Sequence, residues 1–234
     1  MGRCRSLRAS RWLAGRTGRP LCAAGRLTAG GTPARAPCDD HGVVDRLTAD
    51  LVLSVVPPRS GDALERQQET IRRLVPHLRE GFARIGACTA PEIALLMGQF
   101  AHETAGFAFL EELGSGQAYE GRRDLGNDQP GDGARFKGRG ILLLTGRANY
   151  RAFAQAMGRP DIMEHPGRVA ADPDLAVAAG IRYVADRRIL DSCGAEGCDV
   201  VLATRRINGG LNGLESRRRL MQGFLDGLGE GAPG

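Results

Sequence analysis

Glu103 closes an apolar stretch, "MGQFAHETAGF", running from Met97 to Phe107. A carboxylate in such a setting is costly to desolvate unless something uses it. Further glutamates, Glu111, Glu112 and Glu120, follow on a segment dense in Gly, Asp and Asn. One carboxyl in an apolar setting and a second on a polar loop is the arrangement that cleaves glycosidic bonds. The first stays protonated and the second ionised. Phe100 and Phe107 beside Glu103 suit the protonated role, since desolvation disfavours the charged form. Spacing alone is weak support, because solvated surface glutamates look the same.

Other chemistries fit less well. His102-Glu103 would need a second histidine at position 106 for a zinc-peptidase helix, and position 106 is Gly. The glycines of "GDGARFKGRG" lack the spacing and the Lys-Ser/Thr of a phosphate loop. Ser115 has no strand–turn–helix context for a nucleophile elbow. No Cys/His spacing matches a zinc site.

The elements that must position these groups read as helices. Val43, Leu47, Leu51 and Val55 recur every fourth residue, and "PPRSG" at 57–61 breaks the run. "DALERQQETIRRLVPHLREGFARIG" reads as one or two helices, with Pro76 marking a kink or boundary. Thr89, Pro91 and Glu92 form a helix start of the capping-box type. The helix that follows puts Ile93, Leu96, Met97, Phe100 and Ala101 on one face, Glu103 at its edge and His102 nearly opposite. Residues 111–140 have little periodicity, which inside a domain marks a functional loop. "ILLLTG" is a strand or a helix start. Helices are expected up to Gly158, from near Asp172-Pro173, and on both sides of "NGGLNG". The class is mainly α with minor β.

Residues 1–38 hold eight arginines and no acid; removing eight from the net +5 leaves −3 for residues 39–234. The folded part therefore carries no nucleic-acid footprint. No apolar run reaches the ~18 residues that span a membrane. Residues 1–42 read as a disordered Arg/Gly/Ala-rich extension without the apolar core of a secretory signal, or as translation from a mis-assigned start, Val43 or Val44 being alternatives. Lys137 is the single lysine, as in a GC-rich genome, where spurious upstream frames are frequent. The domain itself is expected over 43–230. Cys193 and Cys198 flank "GAEG" and could pair, although the spacing equally suits a simple turn.

Three segments, "FAHETAGF", "FKGRGILLLTGRANY" and "RRINGGLNG", resemble in order and spacing the signatures of family 19 glycoside hydrolases, the chitinases and phage-type endolysins of lysozyme-like fold. The resemblance covers roughly residues 60–225. It implies a lysozyme-like helical domain with a Gly-rich active-site loop, cleaving β-1,4 bonds of N-acetylglucosamine polymers with inversion. Glu103 matches the general acid. The base matches Glu120 in plant-like members and Glu112 in endolysin-like ones, and Glu120 is preferred for its distinctive "YEGRRDLGN" context. Thr145 matches the hydroxyl that holds the attacking water. Asn149, Tyr150 and Asn208 match substrate contacts, although Tyr150 equally suits core packing. Where the signature has glutamine this chain has Leu143, which removes a sugar contact and motivates an alternative: a weakened, glycan-binding prophage remnant.

No metal or cofactor is implied. The expected partner is a polysaccharide, chitin or peptidoglycan, with no nucleic acid and no membrane insertion, and the chain is expected to act as a monomer. An endolysin-like enzyme would stay in the cytoplasm until released to the cell wall. His102 is expected in a supporting or core position. Arg139 and Arg122 are candidates to pair with carboxylates, and Gly138 and Gly140 to serve backbone geometry. If Glu120 is the base, its carboxylate should face Glu103 across a groove, with Glu112 turned to solvent or an arginine.

Overall fold

The computed structural model describes residues 36, 38 and 42–229. The chain is mainly helical: α1 (Gly42–Asp45), α2 (Ala49–Val55), α3 (Asp62–Arg84), α4 (Ala90–Glu103), α5 (Asp132–Arg135), α6 (Arg147–Met157), α7 (Asp161–Glu164), α8 (Arg168–Ala171), α9 (Pro173–Asp186), α10 (Val200–Asn208) and α11 (Leu214–Gly229). A two-residue hairpin pairs Cys193–Gly194 with Gly197–Cys198. No helix among the described residues is long and apolar enough to cross a membrane.

Local chemistry explains most boundaries. Thr89 and Glu92 form the expected capping box at the start of α4. Gly158 in the left-handed region ends α6, and Asp172 caps α9 ahead of Pro173. Expectations change for the first run and for the segment 141–146, while the segment 62–84 takes the one-helix form of its two alternatives. The first amphipathic run is two helices, because Thr48 accepts the Leu51 N–H and restarts the chain as α2. The segment 62–84 is one helix with Pro76 inside it. "ILLLTG" is neither strand nor helix start. It is a tight turn in which Leu143 has φ +54° and Arg139 bridges Glu111 on one side and Leu144 on the other.

Helix α4 is the centre of the molecule, with every residue from Glu92 to Ala101 buried. Its main partner is α11. A Cβ at Gly98 would lie 2.9 Å from Met221 N and 3.0 Å from Arg217 O. Only glycine lets the two backbones approach this closely, and the approach carries Arg217 to the end of α4. A second cluster, including Phe136, Tyr150, Phe153 and Leu175, lies under the Gly-rich segment.

Among the described residues, two disulfides join Cys38 to Cys88 and Cys193 to Cys198. Cys38 falls within the 1–42 extension expected to be disordered, yet it is buried and its N–H donates to Ala83 O at 3.1 Å. The structured part therefore reaches at least to Cys38; almost all of the extension lies outside the described residues. The bridge closes a loop with a sequence separation of 50. Cys38→Ser is expected to lower stability by about 2–4 kcal/mol under oxidising conditions. Removing residues 1–35 is expected to leave the melting temperature unchanged, whereas removing 1–42 should match Cys38→Ser. Thermal melts of the three proteins check this, and equal melting temperatures throughout would refute it.

Candidate active site

Glu103 is the last residue of α4. The chain then turns through three successive left-handed residues, Ala105 (φ +53°), Gly106 (+75°) and Phe107 (+63°). Such a turn survives only if its surroundings hold it. Gln67 donates to Gly106 O at 2.7 Å, Arg59 donates to Ala105 O at 3.0 Å, and the Thr104 hydroxyl accepts the Phe107 N–H at 2.9 Å. The turn sends residues 108–113 straight from the end of α4 toward the Gly-rich signature.

The Glu103 side chain is 5% exposed and forms an ion pair with Arg217, which is fully buried. Arg217 also donates to Gln99 Oε1 at 2.5 Å and to Asn212 O at 3.3 Å. Gln99 in turn donates to Thr204 of α10 at 3.3 Å. The surroundings of Glu103 are thus not only the apolar ones expected beside Phe100 and Phe107; a cation is built into them. No motif flagged Arg217. The available signal was an arginine at the core face of the last helix, with Leu220, Phe224 and Leu228 as its buried companions. His102 is half-buried over Gly213, where any Cβ would lie 2.1 Å from the imidazole. Burial first, then the Arg217 charge, holds His102 below the usual histidine range, against the pull of Glu103.

Glu112 and Glu120 have different surroundings. Glu112 pairs by backbone with the signature, its N–H donating to Gly138 O at 2.9 Å. One carboxylate oxygen accepts the Gly138 N–H at 3.3 Å and the other the Tyr119 hydroxyl at 3.1 Å. A Cβ at Gly138 would lie 3.2 Å from both Glu112 Oε2 and Thr145 Oγ1, so these oxygens are neighbours across that glycine. Glu120 spends both oxygens elsewhere, accepting Gly131 N–H at 2.6 Å and Gly133 N–H at 2.8 Å. It staples the loop at the start of α5.

Thr145 is buried, and its hydroxyl donates to Leu143 O at 2.7 Å. Asn149, half-buried on α6, donates to Thr145 O at 2.7 Å. Asn208 ends α10, whose last turn is propped by the Tyr183 hydroxyl donating to Ile207 O at 3.2 Å. Tyr150, for which the sequence leaves substrate contact and core packing both open, is buried. It is 0% exposed, its hydroxyl donates to Lys137 O at 2.9 Å, and its ring packs on Phe136 at 5.3 Å. It supports the signature from beneath.

A charged network holds the segment that carries Glu112. Lys137 Nζ lies 2.9 Å from Glu111 and donates to Glu112 O at 3.1 Å, while Arg139 reaches Glu111 at 3.2 Å and Tyr150 at 3.2 Å. Burial works to raise the Glu111 carboxyl, but the hydrogen bonds from Lys137 and Arg139 outweigh it and hold the group below its ordinary value. Arg122 pairs with Asp124 instead. An open groove of about 470 Å³ beside Glu111 and Glu112 is lined also by Thr70, Phe109, Leu113 and Lys137.

No family model matches the chain. In sequence it is 29% identical over 195 residues to a glycosyl hydrolase family 19 domain-containing protein of Haemophilus influenzae, covering 67% of this chain and 94% of that protein. It is 36% identical over 105 residues to the acidic 27 kDa endochitinase of Solanum lycopersicum, covering 44% of this chain and 40% of the endochitinase. Chitinase C of Streptomyces griseus HUT6037 has the same fold, with a TM-score of 0.52 at 20% identity, over 82% of this chain and 96% of that one. The structure of a bacterial family 19 chitinase gives 0.53 at 18% identity, over 79% and 95%. The chain is thus similar in sequence to a family 19 glycosyl hydrolase domain-containing protein and in fold to a bacterial family 19 chitinase.

Proposed function

We propose that the protein cleaves β-1,4 bonds next to N-acetylglucosamine in chitin or peptidoglycan, inverting the anomeric centre. Glu103 protonates the leaving oxygen, and Arg217 stabilises the carboxylate that remains. Glu112, rather than the initially preferred Glu120, deprotonates the attacking water, which the Thr145 hydroxyl helps to hold. The observation that carries this reading is the placement of the Glu112 carboxylate beside Thr145 across Gly138, while both Glu120 oxygens are bound to loop N–H groups. Asn149 and Asn208 supply polar contacts to the glycan. Carboxylates and water suffice for the reaction.

Two disulfides support action outside a reducing cytosol. Turnover on a soluble chitin oligomer and on purified peptidoglycan, with the anomer of the first product followed by NMR, tests the reading. An inverted product from either substrate supports it, and a retained anomer refutes the single-displacement mechanism. Binding without turnover on both would favour the weakened, glycan-binding alternative that Leu143 suggests.

A further inference from the structure

The segment 115–135 touches the proposed site through the Tyr119 hydroxyl, which donates to Glu112, without contributing a reacting group. Its construction is nevertheless dense. Gly116 sits against the opposite strand of the loop so closely that a Cβ would lie 2.3 Å from Gly133 O, and a Cβ at Gly133 would lie 2.6 Å from Glu120 N. Two backbones in contact are then pinned by Glu120, which takes the N–H groups of Gly131 and Gly133. Asn127 fastens the same unit to α6: its Nδ2 donates to Tyr119 O at 2.8 Å and its Oδ1 accepts Arg147 N–H at 2.8 Å. Asp132 is buried and bound to Arg147 and, at 3.1 Å, to Gln129 N–H. The Arg147 hydrogen bonds hold its carboxyl below the ordinary value.

All these anchors surround Tyr119, the last residue of a one-turn 3₁₀ helix, Gln117–Tyr119. Its hydroxyl donates to Glu112 Oε1 at 3.1 Å. Burial first, then the Glu112 charge and hydrogen bond, pushes the phenol well above its usual range, so it remains a donor at any working pH. The other Glu112 oxygen is fixed by Gly138 N–H. A carboxylate oxygen has two acceptor sites, so this clamp leaves one site on each oxygen for the attacking water.

We propose that Tyr119 is a positioning residue for the base: its hydroxyl holds the Glu112 carboxylate in the orientation that receives the water proton, and the Glu120-stapled loop exists to deliver that hydroxyl. The proposal rests on the reading of Glu112 as the base. It explains why a distinctive "YEGR" stretch carries a glutamate that does no chemistry itself.

Tyr119→Phe removes the hydroxyl and keeps the ring. The expected result is a fall in kcat of about tenfold or more, the scale of one hydrogen bond to a charged group, with KM and melting temperature unchanged. Glu120→Ala should lower kcat through the same contact, so the double variant Tyr119→Phe/Glu120→Ala should turn over no more slowly than the worse single one. Glu112→Gln is measured alongside. If Glu112→Gln is inactive and Tyr119→Phe has the parent kcat, Tyr119 does not position the base and the proposal alone fails. A Tyr119→Phe loss expressed as a raised KM with a lowered melting temperature would mark a merely structural contact, and also overturns it. Full turnover by Glu112→Gln removes the underlying reading and the proposal with it.

Discussion

Glu103→Gln is expected to fold and to lose at least ~100-fold in turnover, the lower scale for removing a general acid. The amide cannot donate a proton to a leaving oxygen in the way a carboxylic acid does. The fold should persist because the glutamine carbonyl can still accept from Arg217, which keeps its bonds to Gln99 and Asn212. The variant should nevertheless melt earlier, since a fully buried guanidinium loses its counter-charge, and breaking such a pair costs up to ~3–5 kcal/mol. Arg217→Lys should be worse for stability than its conserved charge suggests. An ammonium cannot span Glu103, Gln99 and the Asn212 carbonyl in the planar fork that a guanidinium offers. Circular dichroism and initial rates on a chitin oligomer check both. A folded Glu103→Gln protein with parent rates would remove Glu103 from the mechanism.

The contrast between Glu103 and Arg217 shows what the sequence makes legible. Glu103 announces itself because a carboxylate ends a run of apolar residues with helical spacing, and because Thr89 and Glu92 mark where that helix begins. Arg217 is 114 residues away and lies among other arginines, Arg218 and Arg219, that are exposed. Its role depends on one backbone approach at Gly98, and nothing in the local sequence of α11 specifies it. Cys38 was hidden for the same reason: its partner Cys88 and the carbonyl of Ala83 are both distant in sequence, whereas its neighbours form a low-complexity stretch. Tyr150 was legible as either a contact or a core residue, and burial decides it. Local periodicity and capping chemistry thus fix helices and their ends, while long-range pairing, which no spacing rule encodes, decides which polar residues meet.

The choice between the two candidate bases turns on that distinction. Glu120 sits in the more distinctive local sequence, but its oxygens are consumed by Gly131 and Gly133 N–H groups. Glu112 looks ordinary in sequence, yet its carboxylate stands beside Thr145 across Gly138. Glu112→Gln is therefore expected to lower kcat by ~10²–10⁴-fold, the range for losing a general base. Its fold should be kept, because the amide oxygen still accepts one hydrogen bond and the main-chain bond to Gly138 O is untouched. Glu120→Gln should instead weaken two hydrogen bonds to a charged acceptor. The expected loss is ~1.5–3 kcal/mol of local stability, with turnover reduced far less than in Glu112→Gln. An inverting pair also needs room for water, with carboxyl groups ~6.5–9.5 Å apart, so a crystal structure with a bound oligosaccharide should show that gap between Glu103 and Glu112 with one water in it. Parallel kinetics decide first. An inactive Glu120→Gln beside an active Glu112→Gln would return the role to Glu120, and would require the loop at 131–133 to release its carboxylate when substrate binds.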